Sequence, residues 1–282
     1  MDGAPAGGLH AISDLHIAHR ENRALLDRIR PTAVGDWLIV AGDVAERLSD
    51  IETTLSTLRN RFARVVWVPG NHELWTTPGD GLQLRGVARY NRLVALCREL
   101  GVTTPEDPYP VWQGADGPVR IAPLFLLYDY TFLTPGTTTK RASLQAAHDA
   151  GIVCTDEFVL HSDPFPSRAA WCDARVTVTE QRLESVAGEH PLVLINHWPL
   201  VREPTRVMAH QEFSQWCGTA RTADWHTRFG AIVVVYGHLH IPRTTIYDGV
   251  RFEEVSIGYP REWQRRGVRK NLGELILPAA AA

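Results

Sequence analysis

The sequence predicts an α/β fold, and three observations carry that prediction. Apolar runs alternate with helix-like segments through the first third of the chain, a pattern that implies parallel strands joined by right-handed crossovers. Five apolar runs stop at residue types that bind metals. Asp14-Leu15-His16 follows 9–13, Gly42-Asp43 follows 37–41, Gly70-Asn71-His72-Glu73 follows 64–69, Asn196-His197 follows 192–195, and Gly237-His238-Leu239-His240 follows 231–236. These segments span Asp14 to His240 and make chemical sense only if they converge, so the 282 residues read as a single domain over 9–272.

Taken in order, residues 1–8 are rich in Gly, Ala and Pro and read as a loose terminus. The first strand is 9–13, and 21–30 is helical until Pro31 stops it. Strand 37–41 follows. Ser49-x-x-Glu52 has the form of a capping box, and Ile51, Leu55, Leu58 and Phe62 give the helix behind it one apolar face. The third strand is 65–68. A helix over 81–100 carries Leu82, Val87, Leu93, Leu96 and Leu100, residues 105–110 are turn-rich, and 121–127 is a strongly apolar strand. Residues 129–190, with Thr/Pro/Gly-rich loops and a helix over 167–186, read as an inserted cap over one end of the sheet. Residues 191–195 and 231–236 are further core strands. Residues 244–247 and 250–256 form a hairpin, because Asp248-Gly249 suits a type I′ turn. Residues 260–270 are basic, 273–282 read as a loose tail, and no internal repeat is visible.

Composition removes several function classes. A net charge of −3, from 29 basic and 32 acidic residues, gives no global field for nucleic acid. Cys97, Cys154, Cys172 and Cys217 include no C-x-x-C pair, which argues against a zinc finger, and they are too few for a disulfide framework in a chain this long. No basic segment followed by an apolar core opens the chain, and no run approaches the roughly 20 apolar residues of a membrane helix. The expectation is a soluble cytoplasmic protein with no membrane partner.

In open α/β sheets the functional crevice lies beyond the carboxyl ends of the strands, which is where the five polar segments stand. Two Asp, one Asn and four His suit Zn, Fe or Mn better than Ca²⁺, which takes oxygen ligands only. Seven donors are too many for one catalytic ion with an open position. They fit two ions sharing a carboxylate, about 3.5–4 Å apart.

These blocks, D-x-H, G-D, G-N-H-[DE], a lone His and G-H-x-H in that order, resemble the calcineurin-like metallophosphoesterase superfamily. The resemblance implies two packed mixed β-sheets flanked by helices. It implies that Asp14, His16, Asp43 and His240 hold one divalent or trivalent metal, and that Asp43, Asn71, His197 and His238 hold the other, with Asp43 bridging. It also implies that hydroxide shared by the metals attacks a phosphate ester, while His72 contacts the phosphate and protonates the leaving oxygen. Glu46 is the candidate partner that keeps His72 protonated, although the related phosphatase block G-D-x-x-D-R has Asp where this chain has Glu. Arg47 is a candidate phosphate clamp, with a solvated arginine before a helix as the equal alternative. Among the histidines that match no block, His19 and His226 are candidates for the substrate pocket. Trp75 and Trp198 either wall the pocket or pack in the core.

Longer stretches, 36–47, 65–77, 125–130 and 236–263, resemble the actinobacterial phosphopantetheinyl hydrolase group, which implies release of 4′-phosphopantetheine from an acyl or peptidyl carrier protein. Carrier proteins of this kind are acidic, so the basic run Arg261, Arg265, Arg266, Arg269 and Lys270 is a candidate docking patch. The alternatives are a phosphoesterase for small molecules and a non-catalytic binding protein on the same fold.

Overall fold

The central strands of this chain are buried on both faces, and the fold gives each face a partner. The computed structural model describes residues 7–267 and 272–280. Strands β1 (Leu9–Ile12), β2 (Trp37–Val40) and β3 (Arg64–Trp67) are parallel, in the register Leu9↔Trp37↔Arg64. A late strand, β10 (Glu274–Leu277), adds antiparallel to β1. The second sheet contains β4 (Val111–Gly114), β5 (Gly117–Pro123), β6 (Leu192–Ile195), β7 (Ala231–Tyr236), β8 (Arg243–Tyr247) and β9 (Val250–Glu254). Its order is β4-β5-β6-β7-β9-β8, parallel from β5 through β9 with antiparallel edges at β4 and β8.

Side chains alternate between the two faces of each strand. Leu9, Ala11, Ile39, Ala41, Val66 and Val68 meet Ile121, Val193, Ile195, Val233 and Val235 in a core between the sheets. Leu38, Val40, Val65 and Trp67 point the other way, into a second core under the helices. The result is a sandwich of two mixed sheets with helices outside.

The helices are α1 (Arg20–Leu25), α2 (Leu48–Arg59), α3 (Asn71–Leu74), α4 (Gly86–Glu99), α5 (Lys140–Asp149), α6 (Asp156–Val159), α7 (Arg168–Glu184), α8 (Trp225–Arg228) and α9 (Pro260–Arg266). Among the described residues no helix is long and apolar enough to cross a membrane.

Several boundaries differ from the sequence reading. The proposed capping box is absent: α2 starts two residues early with Arg47 at its N-cap and no side-chain cap, and Ser49 sits inside the first turn, where its carbonyl accepts from Thr53 Oγ1 at 2.8 Å. The chain entering α2 is held from elsewhere, because Glu73 takes the N–H groups of Asp43 and Val44. The first helix is also shorter, passing into a 3₁₀ turn at Leu26–Arg28. Helix α4 begins at Gly86, not Gly81, because the Gln83 side chain donates to the carbonyls of Thr77 and Asp80 and holds a turn there, which leaves Leu82 exposed. The strand expected over 121–127 leaves the ladder at Pro123 and pairs with β4, a hairpin the sequence reading did not resolve. Of the expected loose tail, residues 274–277 form β10. Of the expected loose start, Gly7 and Gly8 are buried, and residues 1–6 lie outside the described range.

The β8–β9 turn has φ +50° at Asp248 and +78° at Gly249, as a type I′ turn requires. The 129–190 region contains α5, α6 and α7, and Ser167 caps α7 by accepting from Ala170 N–H.

Candidate metal centre

The carboxyl ends of β1, β2 and β3 in one sheet, and of β6 and β7 in the other, open on a common crevice. The backbone there is strained. Asp14, His16, Asp43, His238 and His240 all have φ between +41° and +71°, a region that costs a non-glycine residue roughly 1–3 kcal/mol. Buried partners hold this geometry. Glu73 accepts from the N–H groups of Asp43, Val44 and Gly70 at 2.8–2.9 Å and so ties the loop after β2 to the loop after β3. Burial and the nearby Asp43 charge push its carboxyl up to about 7. Gly70 has to be glycine, since a Cβ would sit 2.1 Å from Asp43 Oδ1.

One oxygen of each aspartate is engaged by the scaffold and the other faces inward. Asp14 Oδ2 accepts from Ser256 Oγ (2.6 Å) and His238 N–H (3.1 Å), and Asp43 Oδ1 accepts from His72 N–H (2.9 Å). The inward atoms cluster. His240 Nε2 is 3.0 Å from Asp14 Oδ1 and 3.2 Å from His16 Nε2. His16 Nε2 is 3.8 Å from Asp14 Oδ1 and 3.9 Å from Asp43 Oδ2. His197 Nε2 is 3.4 Å from Asp43 Oδ2, with its ring edge-on to His238 at 5.1 Å. Among the described residues three cation-sized groups form: Asp14/His16/His240, Asp14/Asp43/His197 and His16/Asp43/His72.

The residues fit metal ions on a direct test. Asn71 Oδ1, His197 Nε2 and His238 Nε2 are buried polar atoms with no hydrogen-bond partner, an expensive arrangement unless a cation engages them. The surrounding shell aims these atoms. His197 Nδ1 donates to the Ala41 carbonyl (2.8 Å) and His240 Nδ1 to Glu262 (2.8 Å), which leaves each Nε2 turned inward. Asn71 Nδ2 donates to Asp156 (3.0 Å), which turns Oδ1 toward the crevice. Burial and then the His197 charge keep His238 neutral, at about 3. Burial opposes charging His197 and His240, but Asp43 raises His197 to about 9 and Asp14 raises His240 to about 10. A field that favours a proton on these rings favours a cation among them.

His72 belongs to the third of the cation-sized groups and also has partners of its own. Its Nδ1 lies 2.8 Å from Glu46 Oε1, its Nε2 faces Asp43 Oδ2 at 3.8 Å, and Trp75 covers its ring at 3.7 Å. Burial disfavours its charge, but Asp43 and Glu46 outweigh burial and raise its pKa. Arg47 is exposed and lines a cleft of about 320 Å³ with Ala18, Arg23, Glu46, Asp50 and Thr77. His19 is exposed and edges Tyr259. His226 is not in the pocket: it is buried at the opposite end of the sheet and bonds Asp248 in the hairpin turn. Trp198 is fully buried against His197 and His238. Asp156, Glu262, Ser256 and Tyr259 complete the surroundings and were missed in the sequence. Only Glu262 leaves a trace there, as the third helical residue after Tyr259 with Pro260 between them.

A family model for calcineurin-like phosphoesterases matches residues 9–242. The chain belongs to that family. It is a metal-dependent phosphoric ester hydrolase whose family works with divalent metal ions. It is 57% identical over 258 residues, 92% of this chain and 80% of the relative, to the [acyl-carrier-protein] phosphodiesterase PptH of Mycobacterium tuberculosis. It also matches the crystal structure of phosphopantetheinyl hydrolase (PptH) from that organism with a TM-score of 0.94 and 55% identity, covering 96% of each chain.

Proposed function

We propose that this chain hydrolyses the phosphodiester joining 4′-phosphopantetheine to a serine of an acyl or peptidyl carrier protein, with two transition-metal ions (Mn, Fe or Zn) in the crevice. The choice of ester rests on one observation, the 57% identity, across 92% of this chain, to a relative named as an acyl-carrier-protein phosphodiesterase. The chemistry rests on the convergence of the donors. Asp14, His16, Asp43 and His240 would hold one ion, and Asp43, Asn71, His197 and His238 the other. When bound there, the ions supply Lewis acidity toward the phosphoryl oxygens and toward a water.

The protein's own groups account for the rest. His72, held through Nδ1 by Glu46, presents Nε2–H to the leaving oxygen. A new P–O bond forms to the oxygen of water, the P–O bond to serine breaks, and the His72 proton ends on the serine oxygen. His72 is recharged by the proton that water gives up, so the products are 4′-phosphopantetheine and an unmodified serine. Residues 129–190 act as a cap that walls the site through Asp156, which bonds both Asn71 and Trp75.

Arg261 and Arg265 are exposed on α9 and remain candidates for meeting an acidic carrier protein. Arg266 is committed elsewhere, since it donates to the carbonyls of His240, Ser256 and Ile257, and Arg269 and Lys270 lie outside the described residues. A cytoplasmic setting suits four buried, unpaired thiols.

Incubation with Mn²⁺ and holo-carrier protein, read by intact mass, tests the assignment. Loss of the prosthetic arm is the expected result. An unchanged carrier, together with turnover of small phosphate esters, would move the substrate to the small-molecule class.

A further inference from the structure

Tyr259 is placed against the candidate centre and has no part in the chemistry described so far. Its ring stacks on His16 (centroids 4.5 Å apart, planes 24° apart) and meets the edge of His240 at 4.9 Å. Arg261 sits 5.8 Å over the ring, and His19 edges it at 5.5 Å. The backbone is fixed as well, because Tyr259 N–H donates to the same Glu262 oxygen that holds His240 Nδ1. A ring clamped this way leaves its hydroxyl little choice of position, and that position is 3.4 Å from His72 Nε2. At that spacing one oxygen atom can lie about 2.8 Å from both groups at once. A single substrate oxygen therefore fits between two convergent donors.

We infer that the Tyr259 hydroxyl donates a hydrogen bond to the same leaving oxygen that His72 protonates. The transferred proton comes from His72 Nε2, and Tyr259 keeps its own. The hydroxyl stabilises negative charge that grows as the P–O bond breaks, so its contribution rises as the leaving group becomes less acidic. This inference rests on the phosphoester reading above, not on the identity of the carrier protein.

The test compares metal-loaded wild type and Tyr259→Phe, which keeps the stacking ring, on methyl aryl phosphodiesters whose leaving phenols span a range of acidity. Metal content and thermal midpoint should match the wild type. The loss in kcat/KM should be about 100-fold on the least acidic phenol. It should shrink to roughly 3-fold or less on 4-nitrophenol, so that rate depends more steeply on leaving-group acidity in the variant. An equal loss across the series, no loss on the poorest leaving group, or a variant short of metal would each overturn the assignment. Wild-type turnover of these diesters without action on holo-carrier protein would remove the carrier-protein reading and leave the Tyr259 result standing.

Discussion

His72 is surrounded by carboxylates that do different work. Glu46 bonds Nδ1 directly, whereas Asp43 faces Nε2 from 3.8 Å, too far for a hydrogen bond but close enough to favour the imidazolium. Replacing His72 by Gln should leave the metals bound and lower kcat about 10²–10³-fold on alkyl esters. The loss should be far smaller on an activated aryl ester, whose leaving group needs no proton. Elemental analysis beside the two rate measurements checks this, and a variant that binds less metal would make His72 a ligand instead. Asp36 offers a second residue-scale prediction, away from the site. It is 1% exposed, and burial alone would raise its pKa, but the N–H groups of Ala33, Thr32 and Gly8 and the Thr32 hydroxyl outweigh burial and lower it. A depressed folded-state pKa stabilises the fold above the unfolded value of 3.8, and that stability is lost as pH falls through the folded value. Asp36→Asn should therefore cost about 1–3 kcal/mol at pH 7 and progressively less below about pH 4, read from urea unfolding at each pH. A difference that stayed constant with pH would remove the carboxylate from the explanation. The metal-ligand candidates were legible because each directly follows an apolar strand. Asp156, Glu262 and Tyr259 were not, because only tertiary folding brings them to Asn71, His240 and His16.

At the scale of elements, the hairpin of β8 and β9 could be read in advance because Asp248-Gly249 satisfies two positive φ angles locally. The start of α2 and the strand β10 could not. Long-range contacts set both: Glu73 reaches back to Asp43 and Val44, and β1 offers an open edge to residues far along the chain. The short helix α6 is the clearest case of an element whose purpose lies outside itself. Its four residues deliver Asp156, which takes Asn71 Nδ2, Trp75 Nε1 (2.6 Å) and Tyr128 Oη (3.0 Å). Asp156→Ala should release the Asn71 carboxamide and weaken one metal by about 10–100-fold, with the other metal less affected. Stability should fall by about 1–3 kcal/mol, since the Trp75 and Tyr128 donors lose their acceptor. Metal titration followed by isothermal calorimetry checks the asymmetry. Two sites weakened alike, or neither, would show that α6 does not position a ligand.

Across the whole molecule, the core between the two sheets and the crevice at their carboxyl ends are one construction. Alternating apolar residues such as Ile39, Val66, Val193 and Val235 press the sheets together, and this brings Asp43 from one sheet and His197 from the other to 3.4 Å. The arrangement opposes itself electrostatically: two buried aspartates share a small volume, several loops run through positive φ, and buried polar atoms such as Asn71 Oδ1 and His238 Nε2 have no hydrogen-bond partner. Cations would offset all three costs, and they bind the folded chain only where both sheets are in place, so metal affinity should appear as folding stability. With free metal at 100 to 1,000 times Kd, the gain is about 3–4 kcal/mol. In a chain of this size that corresponds to roughly 5–8 °C in Tm. Dialysis against a chelator should lower Tm by that amount, and Mn²⁺ should restore it. His197→Ala should shrink the response, because it removes a donor contributed by the second sheet, whereas His226→Ala, at the far end of that sheet, should leave the Mn²⁺-induced shift intact even where its own Tm is lower. A chelated protein with unchanged Tm would mean that the crevice is stable without cations, and the coupling between the sandwich and its metals would have to be given up.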